Sequence, residues 1–214
     1  MLHRAVRNNA LWCHAVCASH GSPGEFHPTL WLARHGAPRY YPNAITLTPQ
    51  IDRTEIPRTG GWAIKDSYQS LNLQDLGFAP LFDAAWIAMP PPQTTASSAV
   101  IIATEPDLSA WEQDWSAGQG GDPIFRPALL ADPDIRFLRT ATGGGILNRG
   151  ADVVGVSNLF GDPATVWPAL VQAAATIFPG LPLVAYDRGD DLAAALNLGF
   201  ARIGPLRVWL RPSD

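Results

Sequence analysis

Apolar residues recur along this chain at two spacings, and the spacing changes mark its elements. Val6, Ala10, Cys13, Val16 and Cys17 repeat at helical intervals and stop at His20-Gly21, which predicts an amphipathic helix over 4–20. The clearest helix covers 166–178, where Val166, Leu170, Val171, Ala174, Ile177 and Phe178 share one face. Shorter helices are predicted over Asp107–Ala117, with Asp107 as cap, and over Asp190–Leu198, stopped by Gly199. Clusters of β-formers predict strands at 29–33, 43–48, 81–89, 100–103, within 127–140, and at 145–148, 153–160, 181–186 and 203–210. The strands at 145–148 and 153–160 are joined across Asn148-Arg149-Gly150, a turn-like tripeptide. Residues 49–62 read as a connector, and Trp62–Asp66 leads into a short helical run to Leu76.

Pro90-Pro-Pro-Gln-Thr-Thr-Ala-Ser-Ser98 has no apolar periodicity, and serial prolines favour an extended spacer. It divides the chain into an N-terminal α/β segment, 1–90, a linker, 91–98, and a second unit, 99–214. The second unit runs strand, helix, three strands, helix, strand, helix, strand, the order of a mixed sheet flanked by helices, so the fold class is α/β. An internal echo is also present. Leu71-Asn-Leu-Gln-Asp-Leu-Gly-Phe-Ala79 leads to Trp86-Ile87 much as Leu196-Asn-Leu-Gly-Phe-Ala201 leads to Trp209-Leu210. A degenerate half of the same fold and a common local solution, a glycine stop followed by a strand, both account for it.

Composition narrows the partners. The 214 residues are 47% hydrophobic, ample for a core, and only 16% charged, with 15 Lys+Arg against 19 Asp+Glu and a formal charge of -4. The basic residues are scattered, so neither a nucleic-acid footprint nor a polybasic membrane anchor is expected. No stretch reaches the ~20 apolar residues of a membrane span. Asn8, Asn9, His14 and His20 interrupt a start that otherwise mimics a signal peptide, and the expectation is a soluble, intracellular, cytoplasmic protein, with a homodimer allowed. Cys13 and Cys17 stack on one helix face and read as reduced thiols rather than a metal or redox pair.

Three local features carry a family resemblance. Val153-Val-Gly-Val-Ser-Asn-Leu-Phe160 followed by Gly161-Asp-Pro-Ala-Thr165 and a helix resembles the central strand, pyrophosphate loop and long helix of the GNAT superfamily of acyl-CoA N-acyltransferases. Leu181-Pro-Leu-Val-Ala-Tyr186, a short helix and Leu198-Gly-Phe200 resemble the strand, helix and terminal "LGF" that close that domain. Ile203–Leu210 sits where its last strand should. The resemblance implies a GNAT-like mixed sheet flanked by helices, acetyl-CoA or another acyl-CoA as co-substrate, and a small-molecule or peptide amine as acceptor. Leu159, Phe160, Gly161, Asp162, Ala164, Thr165 and Val166 are then the co-substrate-binding residues. Physical reasoning supports such a loop, because a helix start leaves N–H groups unpaired and carries partial positive charge, so it can hold an anion without Arg or Lys. Thr165 is the predicted cap, which places Pro168 in the first turn.

Acyl transfer to an amine needs a base for the amine and stabilisation of the leaving thiolate. Asp152 and Asp187 are the candidate bases, Tyr186 the candidate acid, and Asn158 the candidate donor to the thioester carbonyl. The family's Arg/Gln-x-x-Gly-x-Gly/Ala signature is absent, Asp162 would repel phosphate if turned inward, and Ala195 stands where its general-acid tyrosine is expected. A non-catalytic relative that kept the fold is therefore the competing reading. A hydrolase built on Ser67 with His27 or His35 is more distant, since no Gly-x-Ser-x-Gly elbow surrounds Ser67. Gly143-Gly-Gly145 lacks nucleotide-loop context and reads as a flexible hairpin approach. Trp111 and Trp115, four apart, read as core packing.

Overall fold

In the computed structural model, which describes residues 1–94 and 96–213, β5 (Ala79–Met89) and β11 (Ala201–Leu210) lie antiparallel at the centre of one sheet. Both begin the same way. Gly77 (φ +83) and Gly199 (φ +108) end a helical turn in the left-handed region, which glycine enters at no steric cost, and buried Phe78 and Phe200 follow just before each strand. The internal echo is thus an echo of structure.

Outward from β11 come β4 (Ala63–Asp66), β3 (Ala44–Thr46), β2 (Leu30–Leu32) and β1 (Glu25–Phe26). Outward from β5 come β10 (Leu183–Asp187), β9 (Val153–Gly161), β8 (Gly143–Gly150), β7 (Ile135–Arg139) and β6 (Val100–Ile101). Among the described residues the two parallel neighbours are β3–β4 and β9–β10, at matching places on the two sides of the seam. The last strand of each half therefore crosses over: β5 pairs with β10, and β11 pairs with β4. On the way from β5 to β6, Thr94 and Ser97 lie against α3 (Pro163–Ile177) and donate to the carbonyls of Ala175 and Ala169.

Alternating side chains serve two cores. Trp86, Ala88, Val153 and Val184 face α1 (Leu2–Ser19) and α2 (Glu105–Trp115), whereas Ile87, Val154, Leu183 and Ala185 face α3 and α4 (Gly189–Asn197). On the first face Trp111 stands edge-on to Phe125, Phe137 and Phe160 and stacks with Trp115 at 6.5 Å, the core role expected of that pair.

Several local expectations are corrected. Residues 63–66 form a strand rather than opening a helix, because Ile64 and Lys65 are laddered by β3 on one side and β11 on the other. The helical run to Leu76 shrinks to one 3-10 turn, Gln74–Leu76. Thr104, not Asp107, caps α2; its hydroxyl accepts from Asp107 N at 3.3 Å, and Pro106 takes the first turn, where no N–H is needed. The β8–β9 turn is Ala151-Asp152, both at φ +54, while Asn148–Gly150 belong to β8.

α1 is pinned to the sheet by a buried amide pair. Asn8 Nδ2 donates to the carbonyls of Asn148 (3.0 Å) and Gly150 (3.2 Å), and Asn148 Nδ2 returns a bond to Asn8 Oδ1 (3.1 Å). Gly155 makes room for it, since a Cβ there would lie 2.1 Å from Asn8 Oδ1 and 2.5 Å from Asn148 Oδ1. Gly155→Ala should therefore destabilise the protein by about 2–3 kcal/mol in urea unfolding, the cost of forcing volume into a filled site. A change under about 0.5 kcal/mol would show that this contact does not hold α1 in place.

Candidate functional site

β9 and β10 begin side by side and then part. They pair at Val154 with Leu183 and at Gly155 with Val184, and nowhere beyond. β10 continues on β5 as far as Asp187 opposite Ala85, while β9 continues on β8 and is bent by a bulge. Ser157 faces Ile146 and Phe160 faces Gly144, so Asn158 and Leu159 together oppose Gly145, with Asn158 at φ +53. The tri-glycine, expected as a flexible hairpin approach, is the start of β8, paired with β7 and β9. A Cβ on Gly143 would meet Phe160 O at 1.9 Å, and one on Gly145 would meet Leu170 Cδ1 at 2.6 Å.

A cavity of about 290 Å³ opens at this gap on the α1 face, with Asn158, Tyr186 and Asp187 in its wall. The three predicted catalytic residues are thus brought together. The Tyr186 hydroxyl accepts from Lys65 Nζ at 3.1 Å, and its ring meets Trp86 edge-on at 5.2 Å. Lys65, only 3% exposed, also donates to Asn9 Oδ1 at 2.7 Å. Burial pushes the Asp187 carboxyl up to about 8, and the neighbouring Asp191 charge adds to the shift. Burial also raises Tyr41 well above the usual phenol range, and Cys13, near Lys65, lies above the usual thiol range for the same reason. Cys17 is pushed up to about 12, first by burial and then by Cys13, so the free, buried pair stays as thiols.

Lys65, Asn9 and Tyr41 escaped the sequence reading. One signal was available: of the 15 Lys+Arg residues only Lys65 is a lysine, and it follows apolar Ala63-Ile64. Asp152, by contrast, sits in the exposed β8–β9 turn, its side chain 91% exposed and 3.8 Å from Arg4, away from the cavity lining. Ser67 is buried with Trp86 Nε1 bonded to its carbonyl, and His27 pairs with exposed Glu25, so no serine triad assembles there.

The co-substrate loop departs from expectation at the helix start. Asp162, not Thr165, caps α3: its carboxylate accepts from Ala164 N (3.0 Å) and its carbonyl from Thr165 N (3.1 Å) and Val166 N (2.9 Å). A carboxylate cap followed by Pro163 at the first position favours this start, and it leaves Pro168 inside the helix. The carbonyl that Pro168 leaves without an intrahelical donor is that of exposed Ala164, which water can reach. The amides expected to cradle an anion are thus taken by Asp162 itself, Ala164 N by its carboxylate and Thr165 N by its carbonyl. Leu159 and Phe160 lie on the bulged stretch of β9, Gly161 (φ +94) closes it against Thr142, and Val166 is buried beneath. A groove of about 590 Å³ between α3 and α4 is lined by Asp162 and Asp190 with no cation in its wall. Ala195 is fully buried in the core, so no hydroxyl stands at that position.

No family model matches the sequence, and no curated protein matches it. Solved structures do. A GCN5-related N-acetyltransferase from Kribbella flavida superposes over 98% of this chain and 96% of its own, with a TM-score of 0.60 and 16% identity. The chain has the GNAT fold. A structure from Novosphingobium aromaticivorans, described as an acetyltransferase from the GNAT family, covers 95% of this chain and 97% of its own at a TM-score of 0.58 and 10% identity. A functionally unknown conserved protein from Staphylococcus epidermidis covers 71% and 72% at 0.52 and 8% identity. At such identities the likeness concerns architecture, not chemistry. Within this GNAT fold the first ninety residues supply Lys65, Tyr41 and Asn9 to the cavity.

Asp187 keeps its proton in the folded chain up to about pH 8, whereas the unfolded chain releases it near its ordinary 3.8. Between those values the folded state binds more protons than the unfolded one, so this group lowers stability as pH rises and the loss levels off above about 8. Asp187→Asn should remove that slope, stabilising the protein at pH 8 by on the order of a few kcal/mol in thermal or urea unfolding while changing little at pH 4. Parallel pH profiles for the two proteins would contradict the assignment.

Proposed function

We propose that the protein transfers an acyl group from acetyl-CoA or another acyl-CoA to an amine. The observation that carries this reading is the parting of β9 from β10, which leaves an unpaired strand edge leading into a polar cavity that holds Asn158, Tyr186 and Asp187. Main-chain groups of β9 beyond Gly155 can bind the amide-containing pantetheine arm as a strand edge binds an extended peptide. Asn158, at the bulge, donates to the thioester carbonyl as negative charge develops there. Asp187, ionised as the pH passes about 8, takes the ammonium proton of the acceptor. The Tyr186 oxygen already accepts from Lys65, so its own proton is free to pass to the leaving thiolate. A C–N bond forms and the C–S bond breaks; the second proton lost by the nitrogen as the amide forms restores the Tyr186 hydroxyl, so the net proton released is the one Asp187 took.

The phosphate end of the donor meets a poorer fit. Asp162 and Asp190 face the groove between α3 and α4, where an anion would have to lie. That observation, with Ala195, favours the second reading, a non-catalytic GNAT-like binding protein. Acetyl-pantetheine, which lacks the phosphates, separates the two. Thiol release with either donor in the presence of a broad amine set supports transfer, with a rate that rises through about pH 8 in the parent and not in Asp187→Asn. Asp162→Ser keeps an oxygen cap and removes the charge; it should tighten acetyl-CoA binding several-fold, about 1 kcal/mol, and leave acetyl-pantetheine binding unchanged. No thiol release and no thermal shift with either donor would leave the non-catalytic reading.

A further inference from the structure

The cavity beside the β9–β10 gap contains the chain's single lysine, with no carboxylate at ion-pair distance from it among the described residues. Lys65 Nζ donates to Asn9 Oδ1 and Tyr186 Oη and lies 4.4 Å from the Tyr186 ring centroid, and a lysine side chain can donate one hydrogen bond more. None of the ion pairs among the described residues includes it. At 3% exposure it is also cut off from bulk water, and a buried cation without a counter-ion is a standing penalty that a bound anion relieves.

Two further groups in the same wall are under-bonded. The Ser157 hydroxyl lacks a hydrogen-bond partner among the described residues, and the Tyr41 hydroxyl, in a residue 8% exposed, is approached by the Asn158 and Trp12 side chains without well-formed hydrogen-bond geometry; both residues line the cavity. Buried polar atoms are paired in the great majority of cases, so these two under-bonded hydroxyls, facing one chamber with a lysine that has no ion pair, mark a place for ligand oxygen. The opposite sign is present too. Asp187 and Asp191 line this cavity, at the end of β10 and in the first turn of α4. One chamber therefore offers a cation with hydroxyls and, separately, carboxylates.

Resting on the acyl-transfer reading, we propose that the acceptor is a free amino acid, its carboxylate held by Lys65 and the Tyr41 hydroxyl and its ammonium directed to Asp187. A single ammonium with hydroxyl donors matches one monoanionic carboxylate, whereas phosphate recognition favours a guanidinium fork, and none lines the cavity. A diamine would set a second cation against Lys65, and a peptide N-terminus has no carboxylate beside its amine. The volume, about 290 Å³, lies just under the range that holds drug-sized ligands and suits a smaller one. The product, an N-acyl amino acid, keeps its charge on Lys65 and has lost the ammonium that Asp187 faced.

Calorimetric titration of the full chain with the twenty L-amino acids, without any acyl donor, tests the site directly. At least one should bind, and its carboxamide and its decarboxylated amine should bind at least tenfold more weakly. Lys65→Met should bring the amino acid down to the level of its carboxamide, while Lys65→Arg keeps most of the preference. Tyr41→Phe, a smaller change that serves if Lys65→Met does not fold, should lose several-fold for the amino acid and nothing for the amine. Binding of none of the twenty, equal binding of amino acid and carboxamide, or an unchanged preference in the folded variants would overturn the proposal. Thiol release with simple amines but no carboxylate preference would remove this site and leave acyl transfer standing. Carboxylate preference without thiol release would do the reverse.

Discussion

The separation of β9 from β10 after two paired residues is the constraint from which the rest of the site follows. Each strand has a second, stronger attachment: β10 is held by β5 along its whole length, and β9 by β8 on both sides of the bulge. Because the two antiparallel partners set their directions independently, the short parallel pairing between them cannot be sustained. Among the described residues its loss leaves the β10-facing main-chain groups of β9 beyond Gly155 without a strand partner, which a buried strand seldom tolerates. The same bulge needs Gly143, Gly144 and Gly145 opposite it, because any Cβ there would strike Phe160, Leu138 or Leu170.

The exchange of last strands at the β5–β11 seam explains how the first ninety residues come to share the site. β4 is joined to β10 through β11 and β5, so Lys65 and Tyr186 belong to one continuous hydrogen-bonded layer. α1 covers that layer and contributes Asn9, while Asn8, one residue earlier, ties the helix to Asn148. Polar contacts with this much geometry specify position more than they add stability, and here they hold an ammonium, a phenol and a carboxyl around one chamber.

Charge at the far side of the gap sets this chain apart from the pattern its fold implies. Asp162 caps α3 with its carboxylate on Ala164 N and puts a negative charge at the helix start, and Asp190 stands across the groove. A cap of this kind stabilises the helix by the same partial positive charge it withholds from a ligand. The fold agrees with a GNAT architecture, and the start of α3 presents carboxylates rather than free amides.

The sequence alone determined the helices at 4–20 and 166–178, most strands, the reduced cysteines and the α/β class, because hydrophobic periodicity and glycine stops act over a few residues and are written locally. It also placed Asn158, Tyr186 and Asp187 in one neighbourhood, through the order of elements that resembles GNAT. Tertiary contacts were needed to make residues 63–66 a strand, to let Asp162 rather than Thr165 cap α3, and to leave Asp152 outside the cavity. Those outcomes turn on pairing and on competition between neighbouring caps. Lys65, Asn9 and Tyr41 could not be read as site residues, since their role exists only where α1, β4 and the 36–43 loop close over the gap between β9 and β10. Local pattern encodes which face of an element is buried; what it is buried against is settled by contacts between residues far apart in the chain.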